Sequence, residues 1–166
     1  DEFKNNPGPM AQVLSTTGTP GAVVAHLADH DTPIKNWGGN NIEDFPEGKW
    51  GTVGYEAMEK YITKKYACTG CPIACGGWMK MEGGKYRVKK GHKPEYETIG
   101  AFGPNCLNEN VESIIYANEL CNLYGFDTIS AGATIAFAIE CFENGILTTA
   151  DTDDIELTWG NADAIV

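Results

Sequence analysis

The stretch Cys68-Thr69-Gly70-Cys71-Pro72-Ile73-Ala74-Cys75 constrains this chain more than any other. Three cysteines at C-x2-C-x3-C spacing, with Pro72 and small residues between them, let one short loop aim three sulfurs at one region. Soft thiolates in a tight run are the donor set that holds iron–sulfur clusters, and a [4Fe-4S] centre takes a fourth ligand that often lies far along the chain. Zinc is one rival, but it normally adds a second Cys or His pair downstream. None follows at that spacing, since the histidines are His26, His30 and His92. Unliganded thiols are the other rival, although three within so short a run are uncommon. Cys106, Cys121 and Cys141 each remain candidates for the fourth ligand; the last two fall inside helical patterns and read first as small core residues.

The net charge of −11, from 23 acidic against 12 basic residues, argues against a nucleic-acid partner, because phosphate binding needs a basic surface. Apolar runs such as residues 131–139 fall short of the roughly 20 residues a membrane span needs. No basic-then-apolar N-terminus marks a leader either, so a cytoplasmic protein without a membrane partner is expected. Six cysteines allow a disulfide framework, yet crowding three of them into one loop favours reduced thiols in an anaerobic setting. The chain starts at Asp1 without an initiator Met and stops at Val166 just after an apolar run begins, so a fragment is expected.

Pro9 can open a helix, and the Ser15–Gly21 stretch is turn chemistry. Thr19 as N-cap and Pro20 at the first helical position predict a short helix to about His30. Residues 33–54 show no period and read as a loop pinned by Trp37 and Trp50. Tyr55, Met58, Tyr61 and Ile62 recur at helical spacing and predict a helix over 54–65. Alternation around Gly83-Gly84 predicts a hairpin with a two-residue turn. Asn110 caps a helix ending at Gly125, and a second helix follows to Asn144, with Ser130 as its cap candidate and Asp127 beside it. That second helix is apolar nearly all round, which predicts burial on more than one side. The fold class expected is mainly α: one multihelical domain over 1–166 with one short β-hairpin.

Glu95 and Glu97 flank Tyr96 just before a glycine-rich passage. Such a pair serves acid–base work if burial raises one pKa, and otherwise is a solvated acidic turn.

Taken in order, Cys68-x2-Cys71-x3-Cys75, Pro94-Glu95-Tyr96-Glu97-Thr98, Ser113-Ile114-Ile115-x-Ala117-Asn118, Gly125-Phe126-Asp127-Thr128-Ile129-Ser130-x-Gly132 and Trp159-Gly160-Asn161 resemble the middle part of the tungsten-dependent aldehyde:ferredoxin oxidoreductases. Pro33-Ile34-Lys35-Asn36-Trp37-Gly38-Gly39 leans toward the branch containing benzoyl-CoA reductase catalytic subunits. The resemblance implies a larger enzyme, with an N-terminal β domain and a C-terminal helical domain beyond this chain. It would clasp a tungsten (or molybdenum) bis-pyranopterin beside one [4Fe-4S] cluster. Cys68, Cys71 and Cys75 would then be cluster ligands, with the fourth supplied by a later domain, and Glu97 would lie near the metal as an acid–base group. The pterin motif Asp-x-x-Gly-Leu-Asp reads Asn122-Leu123-Tyr124-Gly125-Phe126-Asp127 here, which keeps Gly125 and Asp127 but puts an amide, Asn122, at the first acid. Tyr116 stands where some relatives carry a metal-binding glutamate at a dimer interface, so no bridging metal is expected. The implied partners are a ferredoxin-like carrier and a small aldehyde or acyl substrate, with room for a homo-oligomer. The fragment by itself is expected to be inactive and able to lack any bound cofactor. The alternative from another class is a stand-alone iron–sulfur electron-transfer or metal-binding module without a substrate site.

Overall fold

The computed structural model describes residues 5–166. Helix α1 (Pro9–Thr16) opens with proline in its first turn, where a missing N–H costs nothing. A 3-10 turn, Thr19–Ala22, leads into α2 (Val23–Ala28), which buries Val23 and Leu27. Gly18, not Thr19, takes the capping position before that turn, because the Thr19 hydroxyl is drawn to a distant helix described below.

The passage 33–54 contains one short helix, α3 (Glu47–Trp50). Trp50 pins it as expected, its indole N–H donating to Phe45 O at 2.8 Å. Trp37 does not. Lys35, Asn36 and Trp37 run through left-handed backbone at φ 50°, 48° and 65°, and the indole is left 73% exposed.

The helix expected over 54–65 survives only as α4 (Tyr55–Met58) and one 3-10 turn; Ile62–Tyr66 is strand β1. Ile62, Thr63 and Tyr66 suit extended backbone, and pairing with β2 (Gly76–Met81) outweighs the helical spacing of the apolar residues. In that antiparallel pair Tyr66 lies opposite Gly76 and Lys64 opposite Trp78. The expected hairpin is present as β2 with β3 (Val88–His92), Trp78 facing His92 and Met81 facing Val88. Its connection spans residues 82–87 rather than a two-residue turn, and β1 extends it to a three-stranded sheet of order β1-β2-β3.

Beyond β3 the chain is mainly helical. Helix α5 (Tyr96–Phe102) buries every residue from Thr98 to Phe102. Helix α6 (Val111–Tyr124) is capped by Asn110, whose side chain accepts the Glu112 and Ser113 N–H groups at 3.1 Å, and it ends at Gly125 with φ 76°. Helix α7 (Thr128–Glu143) is capped by Asp127, whose carboxylate accepts the Ser130 N–H at 2.7 Å; Ser130 itself already lies in the first turn. A last short helix, α8 (Ala162–Ile165), is capped by Asn161. The fold class is thus the mainly α one expected. No single helix among the described residues is long and apolar enough to cross a membrane, and α6 and α7 bend by 119° at their junction.

Phe45, Met58, Met79, Ile99, Phe102, Ile114 and Ile139 meet in one core shared by sheet and helices. Within it α5 and α7 approach closely: a Cβ placed on Gly132 would lie 2.7 Å from the Ala101 Cβ. Burial of α7 on more than one side is not observed. Gly132, Ala136, Ile139 and Cys141 face inward, while Ile129 and Phe137 are 45% and 59% exposed, because nothing among the described residues covers the other face.

Gly132→Ala is therefore expected to lower stability by about 1–3 kcal/mol through overpacking. A urea-unfolding midpoint equal to wild type would contradict the close α5–α7 contact.

Candidate metal and active site

Residues 67–75, the cysteine loop, connect β1 to β2, so the Tyr66–Gly76 pair clamps both its ends. Cys68 to Cys71 form a turn closed by the Cys71 N–H on Cys68 O at 2.9 Å. Gly70 sits at its third position with φ 75°, as a type II turn requires. Ala74 then adopts φ 57°, a left-handed conformation that costs a non-glycine residue on the order of 1 kcal/mol. The nearby backbone N–H groups of Ile73 and Ala74 favour the Cys71 thiolate and hold this thiol below the ordinary range. All three thiols are free, with Cys68 exposed and Cys71 and Cys75 half-buried.

Among the described residues no three His, Cys, Asp or Glu side chains converge as a single ion would need. Three cysteines in one short run are the soft donor set that a cubane takes, each thiolate on a separate iron. Cys106, Cys121 and Cys141 are buried in the helical core. The Cys106 thiol donates to Ala101 O at 3.3 Å, and burial pushes it up to about 12. All three pack within the helical part of the fold.

Beneath the loop, the Lys93 ammonium donates to Cys75 O at 2.8 Å and to Thr17 O at 2.7 Å. Beside it the Tyr66 hydroxyl meets His92 Nδ1 at 2.8 Å, and the Trp78 and His92 rings stack with centroids 4.3 Å apart.

Glu95, Tyr96 and Glu97 open helix α5, and Thr19 holds that opening. Its hydroxyl accepts the Tyr96 N–H at 2.9 Å and donates to the Glu95 carboxylate, satisfying a helix-start donor from a remote segment. Tyr96 is fixed further by its hydroxyl on Thr32 Oγ1 at 3.1 Å and its ring on His26 at 4.4 Å, and burial pushes its pKa up. Glu95 is thereby engaged in structure. Glu97 instead lines a cavity of about 180 Å³ with Asp31, Trp37, Asn105 and Ile129.

Asn105, which lines the same cavity, is the residue that sequence reasoning passed over. It is 1% exposed, and its amide oxygen has no partner. Leaving such a group unpaired costs about 1–3 kcal/mol, so a donor from a bound molecule would be held strongly. The one available signal was a lone amide within the small-residue run Gly103-Pro104-Asn105-Cys106.

Asn122, Gly125 and Asp127 form the exposed corner between α6 and α7. The Asn122 amide N–H₂ donates to Asn118 O at 2.9 Å, and the Ser130 bonds hold the Asp127 carboxyl below its usual range. The Thr98 and Thr128 hydroxyls meet at 2.8 Å and join the Glu97 helix to this corner. The structure therefore brings the Glu97 and Asp127 stretches together, and Lys93 and Thr19 tie the cysteine loop to both.

A family model described as aldehyde ferredoxin oxidoreductase, domains 2 & 3, matches residues 1–166. The chain belongs to this family. Over 112 residues it is 41% identical to a tungsten-containing aldehyde ferredoxin oxidoreductase of Thermococcus kodakarensis, covering 66% of this chain and 18% of that protein. The corresponding Pyrococcus furiosus enzyme is 37% identical over the same length, with the same coverage. The WOR-like subunit of an aliphatic sulfonate oxidoreductase from Pyrococcus furiosus is 31% identical over 148 residues, 89% of this chain and 23% of that protein. This family member thus spans about a fifth of the length of these relatives. The resemblance drawn from the ordered motifs is borne out at the level of the family.

Thiol reactivity separates the two kinds of cysteine. In cluster-free protein at neutral pH, iodoacetamide is expected to modify Cys71 well before Cys106, because one thiol is acidified by N–H donors and the other held protonated by burial. Peptide mapping that finds Cys106 alkylated as fast as Cys71 would contradict this assignment.

Proposed function

We propose that this chain is the cluster-bearing and pterin-facing part of a tungsten (or molybdenum) pyranopterin oxidoreductase. The whole enzyme would oxidise a small aldehyde or related carbonyl compound and pass the electrons through a [4Fe-4S] cluster to a ferredoxin-like carrier. The observation that carries this reading is the hydrogen-bonded continuity of the cysteine loop, the Glu97 cavity and the Asp127 corner in one chain. A stand-alone electron carrier has no use for a cavity lined by both an exposed carboxylate and a buried amide with an unpaired oxygen.

Cys68, Cys71 and Cys75 would hold three irons of the cluster, and the N–H donors on Cys71 favour the thiolate that ligation requires. Asp127 keeps one carboxylate oxygen beyond its bond to Ser130, and Asn122 keeps its amide oxygen; both are acceptors that suit an N–H-rich pterin, with Gly125 giving close backbone approach. When bound, the metal–pterin group supplies the two-electron chemistry. Oxidation of an aldehyde with water releases protons as well as electrons, and Glu97 is the carboxylate placed to take a proton from the substrate side. Asn105 would orient the substrate through its free amide oxygen, and Trp37 would supply an aromatic wall at the cavity rim.

Glu97→Gln in the full-length enzyme is expected to lower aldehyde-dependent reduction of a ferredoxin or viologen by about 10²–10⁴-fold, the range for loss of a general acid–base group. Iron, tungsten and pterin contents should stay at wild-type values. Unchanged turnover would remove Glu97 from the reaction, and wild-type protein without tungsten or pterin would overturn the proposal as a whole.

A further inference from the structure

Lys93 is 6% exposed, an unusual state for a lysine. It follows β3, where its backbone N–H bonds Gly77 O at 2.7 Å and fixes the root of the side chain. Its ammonium donates to Thr17 O at 2.7 Å and Cys75 O at 2.8 Å. Gly18 makes room for it: a Cβ there would collide with the ammonium and sit 2.8 Å from Cys75 O. Thr17 closes the C-terminal end of α1, so the cation also faces the negative end of a helix.

Two neutral carbonyls compensate only part of the several kcal/mol that burying an ammonium costs. The nearby Glu95 carboxylate also takes the Thr19 hydroxyl, so it does not serve Lys93 alone. A cation buried against the peptide of the third loop cysteine therefore has unused attraction for negative charge on the sulfur side of that peptide. A thiolate-ligated cluster is such a charge.

We propose that Lys93 is a positioning residue for the iron–sulfur cluster: its ammonium locks the Cys75 peptide and, as a fixed positive charge, raises the cluster's reduction potential. The inference rests on the reading that Cys68, Cys71 and Cys75 ligate a cluster. Reduction adds one negative charge to the cluster, and a desolvated cation a few bonds away stabilises that form over the oxidised one. The same contact ties the loop to the Thr17–Thr19 segment that caps α5, so cluster and Glu97 share one anchor.

The test is an EPR-monitored redox titration of the full-length holoenzyme as wild type, Lys93→Met and Lys93→Arg, with iron counted in each. Wild-type protein without a [4Fe-4S] signal would sink the ligand reading itself. With that signal present, K93M is expected to keep its iron and to titrate at a more negative midpoint. At fixed potential the reduced-to-oxidised ratio should fall about tenfold, which is about 59 mV for one electron. K93R should stay near wild type. K93M with full iron and an unchanged midpoint would overturn the inference. Should K93M lose its iron, K93R decides: a retained cluster at the wild-type midpoint supports the need for the charge, and loss there too overturns it.

Discussion

One buried ammonium joins the candidate-site segments of this chain. Lys93 Nζ lies between Thr17 O and Cys75 O, so helix α1, the cysteine loop and the end of β3 meet at a single charge. From there the order is relayed by short bonds. Thr19, next along from the Thr17 contact, caps α5 at Tyr96, and Thr98 within α5 reaches Thr128 at the start of α7. Removing the charge would leave two part-buried carbonyls without their donor, one of them in the cysteine loop.

The loop depends on this support because it is short of internal bonds. Its one backbone turn runs from Cys68 to Cys71, and the following reversal through Ala74 is strained. Strain of this kind persists where surroundings over-determine the conformation, and it tends to sit at functional sites. In this loop the backbone N–H groups of Ile73 and Ala74 favour the Cys71 thiolate. Leu123, Tyr124, Phe126, Ile129 and Phe137 are exposed at the α6–α7 corner and along α7.

Much of this was legible in the sequence where the signal is local. The cap Asn110, the terminator Gly125 and the start of α7 at Asp127 are short-range chemistry, and they were read with little error. The misreadings came where distant partners decide. Residues 62–66 have helical apolar spacing, yet they form a strand because β2 offers a ladder. Thr19 looked like a cap for its own helix and caps α5 instead, 77 residues away. Trp37 looked like an anchor, but three consecutive left-handed residues turn it outward. Lys93 gave no signal and Asn105 only its place in a small-residue run, since a lysine or an asparagine in sequence reads as solvated and only the tertiary fold shows it buried.

We propose Cys68, Cys71 and Cys75 as the chain's contribution to one [4Fe-4S] cluster. The most direct test is Mössbauer spectroscopy of the ⁵⁷Fe-enriched full-length protein, prepared anaerobically as wild type and with the three cysteines replaced by serine. The account expects a single cubane signature in wild type and its loss in the variant, with far-ultraviolet circular dichroism unchanged. A cubane that survives the triple replacement at full intensity would contradict it.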